Sequence, residues 1–309
     1  LEEPREISWA KGQFFKYSYE RNHLSLYLEQ SKNISSKIHV SVGALVHYLS
    51  SNESWNVYPG IELSYALSDS SALFASANQA MRLPTFTDLF YSGPANMGNS
   101  QLKPERATSY ELGFRTKSEA FSWESNVFLK KGTDIIDWIW YDTIWKTENM
   151  TRLTTFGFEA NASVNPQIIW ETKWFKQLNV NYTYLNIDKA GSDYQSKYAL
   201  NNIRHQVNVS ALFQPLKHWY LSINGSYKDR LGTYQIYNFT TKEYENRPNT
   251  DYFTWNARVV YKPPFAEFFV ELHNISDSKV VEFGVPQPGF QALAGVNRKL
   301  QLKPSRNNN

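Results

Sequence analysis

Arg204-His205-Gln206-Val207-Asn208-Val209-Ser210-Ala211-Leu212-Phe213 carries the reading of the fold. In an extended chain Val207, Val209, Ala211 and Phe213 share one side, and Arg204, Gln206, Asn208 and Ser210 share the other. Successive side chains of a strand point to opposite faces, so this is a strand with one apolar and one polar face.

The same period runs outward in both directions. Trp219, Leu221, Ile223 and Tyr227 oppose Tyr220, Ser222, Asn224 and Ser226. Phe253, Trp255, Ala257, Val259 and Tyr261 oppose Thr254, Asn256 and Arg258. Ala266, Phe268, Val270 and Leu272 oppose Glu267, Phe269, Glu271 and His273. Upstream, the segments 38–46, 61–67, 109–115 and 156–163 alternate in the same way. The pattern predicts about 13 strands of about 9–12 residues, the length a tilted strand needs to cross a bilayer.

The connections predict how the strands are arranged. Ser31–Ser36, Asp69–Ser71, Lys117–Ala120, Gln214–Lys217 and Lys262–Pro264 are short. Met81–Arg106, Lys131–Met150, Asp188–Asn202, Lys228–Asp251 and Ser276–Gly289 are long. Alternating short and long connections give an up-and-down antiparallel meander with two unlike ends, as in outer-membrane barrels. Pro166–Lys176 is a longer connection at the short end. A soluble β-sandwich would also alternate, but it would not put its long loops at one end. A propeller would show a blade-length repeat.

Composition fits this reading. Of 309 residues, 20 are Tyr, 19 Phe and 10 Trp, side chains that suit strands and membrane interfaces. With no Cys, disulfides and thiolate metal sites are excluded. A net charge of +3 does not point to nucleic acid as a partner. No apolar run approaches the length of a membrane helix. Leu1-Glu2-Glu3-Pro4 is not a signal peptide.

Motifs for catalysis do not assemble. The histidines at 23, 39, 47, 205, 218 and 273 form no metal-ligand spacing. Glu267 and Glu271 lie about 13 Å apart on one strand face, too far for a glycosidase pair. Both read as polar lining, as do His39 and His47. Asn-x-Ser/Thr recurs at Asn33, Asn52, Asn149, Asn161, Asn181, Asn208, Asn224, Asn238 and Asn274. Several of these pairs sit on polar strand faces, where Asn, Ser and Thr generate the pattern without glycosylation.

One stretch carries a family resemblance. Met81-Arg82-Leu83-Pro84-Thr85-Phe86-Thr87-Asp88-Leu89-Phe90-Tyr91 is followed by Gly98-Asn99-Ser100-Gln101-Leu102-Lys103-Pro104-Glu105, then by Tyr110-Glu111-Leu112-Gly113. This resembles a signature of TonB-dependent outer-membrane receptors. Asn274-Ile275-Ser276-Asp277-Ser278-Lys279 is similar to that family's segment before the last loop. Val285-Pro286-Gln287-Pro288-Gly289 resembles receptors of Bacteroidetes-like bacteria and, more distantly, cobalamin-receptor relatives. Pro84 and Pro104 would stiffen the long loop, which makes a loop brace the favoured role of the motif over ligand contact.

The resemblance implies an all-β transmembrane barrel of about 22 strands around a plugged lumen. The chain supplies about 13 strands and nothing like a plug, so residues 1–309 are expected to be the C-terminal portion of such a barrel. The implied function is uptake of a large scarce nutrient (cobalamin or a metal chelate such as an iron-siderophore) across the Gram-negative outer membrane. Membrane lipid and lipopolysaccharide would surround the wall, and the TonB complex would act through a plug domain absent from this chain. No cofactor, metal or enzyme activity is implied. Loop aromatics are the candidates for ligand contact: Tyr91, Trp138, Trp140, Tyr141, Trp145, Tyr234 and Tyr237. Packing between loops is the alternative role for each. The rival functions are a passive porin or structural barrel without TonB coupling, and a barrel enzyme. The last strand, taken as Ala292–Leu302, puts Arg298 on the apolar parity, where mid-membrane exposure would cost about 2–4 kcal/mol unless a bulge intervenes.

Overall fold

A computed structural model describes residues 19–50, 54–190, 203–238, 240–282 and 284–298. The chain opens with β1 (His23–Asn33), β2 (Ile38–Leu49), β3 (Ser54–Ala66) and β4 (Ser71–Arg82). A long loop then carries α1 (Phe86–Phe90) and β5 (Asn96–Met97). β6 (Glu105–Lys117), β7 (Phe121–Tyr141) and β8 (Ile144–Val164) follow, then α2 (Pro166–Ile169) and β9 (Phe175–Ala190). β10 (Ile203–Leu216) and β11 (Trp219–Arg230) lead to a small hairpin of β12 (Thr233–Asn238) and β13 (Glu243–Pro248). β14 (Tyr252–Tyr261) and β15 (Glu267–His273) precede the short β16 (Val281–Glu282) and β17 (Val285–Pro286), and β18 (Gln291–Asn297) ends the series.

Thirteen strands pair in the order β1-β2-β3-β4-β6-β7-β8-β9-β10-β11-β14-β15-β18, and β5 joins the edge of β8 as a fourteenth. Every pairing along this path is antiparallel. The meander and the strand number match the sequence expectation. Among the described residues β1 and β18 do not pair with each other, so the sheet is an open stretch of wall.

Cross-strand register explains why the period-two residues matter. Val42, Ile61, Ala77, Tyr110, Leu129 and Phe156 are successive register partners across six strands. Leu178, Ala211, Ile223, Ala257, Leu272 and Ala292 continue the band on the other half. This band is not covered by protein: Val42 is 50% exposed, Ile61 48% and Leu112 58%. A one-layer wall has no second layer to bury it, so its solvent must be hydrocarbon. The opposite face is polar and internally hydrogen-bonded. Asn181 Nδ2 donates to Asn161 Oδ1 at 2.7 Å, and Ser226 Oγ donates to Asn208 Oδ1 at 2.9 Å. The Asn-x-Ser/Thr pairs on these strands are thus lining pairs.

Aromatic belts mark both edges of the apolar band. On β11 and β14, Trp219 stacks on Tyr261 at 4.8 Å near the short turns, and Phe253 meets Trp255 edge-on at 4.6 Å near the long loops. Trp219 and Tyr227 bound the band on β11, about 27 Å apart along the strand and about 21 Å along the barrel axis at ordinary tilt. That is the height of a membrane band.

Glycines on the polar face take cross-strand aromatic rings. Gly157 lies under the Phe128 ring, its register partner, where a Cβ would overlap Phe128 Cζ. The ring fills space that a side chain at 157 would occupy.

Three expectations need correction. Lys131–Met150 is not a loop: β7 and β8, 21 residues each, continue to a two-residue turn at Asp142-Thr143, with Asp142 at φ 46°. Register holds constant from Phe121↔Val164 to Tyr141↔Ile144. Second, the ends do not alternate strictly, because β2 ends at Leu49 and β3 begins at Ser54, a short connection at the long-loop rim. Third, Arg298 follows the end of β18, whose Asn297 pairs with Glu267 beside the short turn 262–266. Arg298 sits at that rim and escapes the mid-membrane cost. Residues 299–302 of the expected last strand and 191–202 of the Asp188–Asn202 connection lie outside the described residues.

Candidate outer-loop site

The signature stretch builds a brace at the long-loop rim. Arg82 ends β4 and Glu105 begins β6, and the two are register partners. The guanidinium donates to Glu105 from Nη2 at 2.6 Å and Nε at 2.9 Å, and Arg82 Nη1 reaches Asp88 at 3.3 Å. Such a two-point bond to a carboxylate fixes orientation as well as position. The 22-residue excursion 83–104 is thus closed at its base.

Within the excursion Thr85 and Asp88 cap α1 reciprocally. Asp88 N donates to Thr85 Oγ1 at 3.1 Å, and Thr85 N donates to Asp88 Oδ2 at 3.0 Å. Gly98 lets the returning chain pass close to α1, since a Cβ there would stand 2.8 Å from Asp88 O. Pro84 is buried, and its carbonyl accepts from Arg21 Nη1 at 2.7 Å. Tyr19 stacks on Phe90 with ring centroids 3.6 Å apart.

The excursion then docks on the β7–β8 arm. β5 pairs in parallel with β8, Asn96 opposite Trp145 and Met97 opposite Lys146. Thr147, fully buried, donates from Oγ1 to Asp88 O at 2.7 Å. Ile136 N donates to Glu105 Oε1 at 2.7 Å. Asn149 acts as a clasp: its Oδ1 accepts from Lys103 N at 2.9 Å, and its Nδ2 donates to Lys103 O at 3.0 Å and Asp134 O at 2.6 Å.

The predicted contact residues divide in two. Tyr91 meets Trp138 edge-on at 6.2 Å, and Trp140 lies 5.2 Å from its register partner Trp145. Trp138, Trp140 and Trp145 continue the parity of Phe128 and Gly157, the polar face of the wall, so they share one side of the arm. Tyr141 has the opposite parity and carries Lys146 Nζ 5.4 Å from its ring centroid. The arm residues are therefore strand residues. Tyr234 is on the separate β12–β13 hairpin opposite Arg247. Tyr237 pairs there with Tyr244 in register; its side chain lies outside what the structure describes.

A second loop cluster lies further along the wall. Glu282 on β16 faces Lys228 at 3.3 Å, Arg230 at 3.6 Å and the Tyr252 hydroxyl, which donates to it. The Tyr252 hydrogen bond, and then the two cations, hold the Glu282 carboxyl below the usual carboxylate range against the opposing effect of burial. Asn274 pins the same loop, with Nδ2 donating to Ser278 O at 2.9 Å and its Oδ1 accepting from Ser278 N at 3.0 Å. Asp277 Oδ1 accepts from Phe290 N at 2.8 Å.

Asp88, Thr147 and Asn149 were not singled out by sequence as site residues. The Thr85-x-x-Asp88 spacing is a capping-box signal that could have found Asp88. Asn149 drew attention only as an acceptor pattern for glycans.

A family profile described as "TonB dependent receptor-like, beta-barrel" matches residues 5–275. The chain belongs to that family. TonB-dependent receptor barrels are outer-membrane barrels, and this chain forms a stretch of the wall of one. Among proteins of known function it is 25% identical over 186 residues to the vitamin B12 transporter BtuB of Photobacterium profundum, covering 57% of this chain and 28% of that protein. It is 28% identical over 120 residues to BtuB of Vibrio vulnificus, covering 38% and 18%. Among solved structures it superposes on a mutant of the ferric enterobactin receptor PfeA of Pseudomonas aeruginosa with a TM-score of 0.70 at 15% identity, covering 91% of this chain and 45% of the receptor. The chain thus spans less than half the length of the TonB-dependent receptors it resembles.

Proposed function

We propose that the chain forms part of the wall and outer-loop surface of an outer-membrane receptor for TonB-energised uptake of a large scarce nutrient. The observation that carries the proposal is the braced arm. The family signature around Arg82 and Glu105 docks Tyr91 against Trp138 and holds Trp140 and Trp145 on the lumen side of a rigid hairpin above the wall. Flat aromatic side chains on a preorganised support suit a bulky ligand at low ordering cost. Tyr234 and Tyr237 complete the proposed contact set from another loop, and Tyr141, on the opposite face of the arm, is its marginal member.

The proposed ligand is a cobalamin, an iron-siderophore or a similar metal chelate, in keeping with BtuB and PfeA, whose names specify vitamin B12 and ferric enterobactin. The TonB complex would act through the receptor's plug domain. Phospholipid and lipopolysaccharide would solvate the apolar band.

The test is uptake of labelled cyanocobalamin and of a labelled ferric siderophore by cells carrying the receptor, with TonB active and with TonB deleted. Saturable uptake of one ligand that disappears without TonB is expected. Uptake that is non-saturable and unchanged without TonB would establish a passive pore and overturn the reading.

A further inference from the structure

The connection between β8 and β9 is longer than the other described turns at its rim, which expose large apolar side chains singly, at Ile34, Leu67 and Phe265. Residues 34–37, 67–70 and 118–120 are brief and dominated by Ser, Lys, Asp and Glu. Residues 165–174 instead hold α2 and an apolar side. Ile168 is 47% exposed, Ile169 45%, Trp170 54% and Trp174 52%.

This apolar side continues the lipid-facing surface. Trp170 stacks on Phe175 at 5.9 Å, and Trp174 stacks on Phe213 at 5.7 Å. Phe175 and Phe213 are register partners, 4.7 Å apart: Phe213 has the apolar parity of β10, and the register shift between Leu212 and Phe213 brings Phe175, which has the polar parity of β9, opposite it. The connection therefore turns outward over the lipid face and does not hang below the rim. Asn165 and Pro166 set the turn: Asn165 Oδ1 accepts from Gln167 N at 3.1 Å, and Pro166 O accepts from Trp170 N at 3.0 Å. Exposed Lys173 on this connection and Lys217 on the neighbouring turn supply cations at headgroup height, against one acidic residue, Glu171.

We propose that residues 165–174 form a membrane-surface anchor, with Ile168, Ile169 and Trp170 seated at the acyl–headgroup boundary of the leaflet at the short-turn rim. The partner is the phospholipid of the same bilayer. Exposed apolar side chains flanked by tryptophans and lysines suit that interface, and continuity with the apolar band places lipid beside them. The anchor rests on the barrel reading and not on any transported ligand.

The chain contains no Cys, so single labels can be placed cleanly. Spin labels at Ile169→Cys, Leu112→Cys and Glu119→Cys in the reconstituted full-length receptor compare the anchor with the lipid face and with an aqueous turn. The vesicles are phosphatidylethanolamine and phosphatidylglycerol. The label at 169 is expected to collide with oxygen in preference to a water-soluble nickel chelate, as at 112 and unlike 119. Nickel access at 169 equal to that at 119 would overturn the anchor. Dipolar broadening between labels at 169 would show a second copy on this patch and would overturn it too. A label at 112 exposed to nickel would instead sink the barrel reading itself.

Discussion

Arg82 and Glu105 meet across the mouth of the excursion they delimit, joined at two points by bonds of 2.6 and 2.9 Å while standing opposite each other in the β4–β6 ladder. Glu105 also accepts from Ile136 N, so one carboxylate ties the wall, the loop base and the arm. Arg82→Ala should leave Glu105 tied to the arm alone. Because the Arg82 side chain is 45% exposed, solvent screening limits the loss to about 1 kcal/mol of loop docking. Limited proteolysis should cut within 83–104 several-fold faster with the barrel still resistant. Unchanged cleavage would show that the ion pair is not what closes the loop.

Asn149→Ala removes three hydrogen bonds that clasp Lys103 and Asp134. At about 0.5–1.5 kcal/mol net for each bond, backbone exchange at residues 99–104 should accelerate at least tenfold. Hydrogen–deuterium exchange by mass spectrometry reads this directly. Asn149→Asp keeps the acceptor and loses both donors, so it should fall between the two.

The parity of the arm separates its aromatics. Trp138→Ala and Trp140→Ala should each weaken binding of the transported ligand about tenfold or more, as truncation of buried aromatic anchors does. Tyr141→Ala, on the other face, should change it less than threefold. Equilibrium binding to the reconstituted receptor tests the ranking, and a larger effect at Tyr141 would move the contact surface to the other side of the arm.

Glu282 makes the loop 274–290 sensitive to acid. Its folded pKa is depressed, first by the Tyr252 hydrogen bond and then by Lys228 and Arg230, so its contribution is complete above the unfolded glutamate value. That contribution fades as pH falls from about 4.3 through the lower folded value. Exchange protection of residues 276–282 should therefore drop below about pH 4.3. Glu282→Gln should show weakened protection already at neutral pH and lose the acid step. A step of equal size in the variant would assign it to another group.

Gly157→Val drives a branched side chain into the Phe128 ring. Overpacking of this kind costs about 1–3 kcal/mol, and on a wall one layer thick the ring must leave its place over the neighbouring strand. The folded fraction, read from the heat-dependent shift of the barrel band in gel electrophoresis, should fall. Phe128→Ala should restore it in the double variant, and failure to restore would place the defect in the backbone.

The wall was legible because hydrocarbon and water act on opposite faces of each strand, writing period two into segments such as 204–213 and 253–261. The aqueous arm was not. Trp138, Ile139, Trp140, Trp145 and Lys146 lie beyond the bilayer, where one face meets the 83–104 excursion and no lipid enforces an apolar side. Their pattern lacks alternation although the ladder persists. The brace residues were visible in the family motif, and Pro84 and Pro104 rightly suggested support. The partners Thr147 and Asn149 come from another hairpin, so only tertiary pairing joins them to the motif. The turn rule failed between β2 and β3 because nothing in a strand pattern fixes how far a chain travels before returning.

The unbroken register of β7 and β8 has a consequence for divergence. A ladder that runs without slip from Phe121↔Val164 to Tyr141↔Ile144 separates the residues that read the bilayer from those that face outward at the tip. Side chains near Trp140 and Trp145 can be exchanged in a lineage without re-threading the hydrogen bonds below them. Under the proposed function the arm is an interchangeable cassette, on which recognition can drift while the membrane-embedded part keeps its pairing.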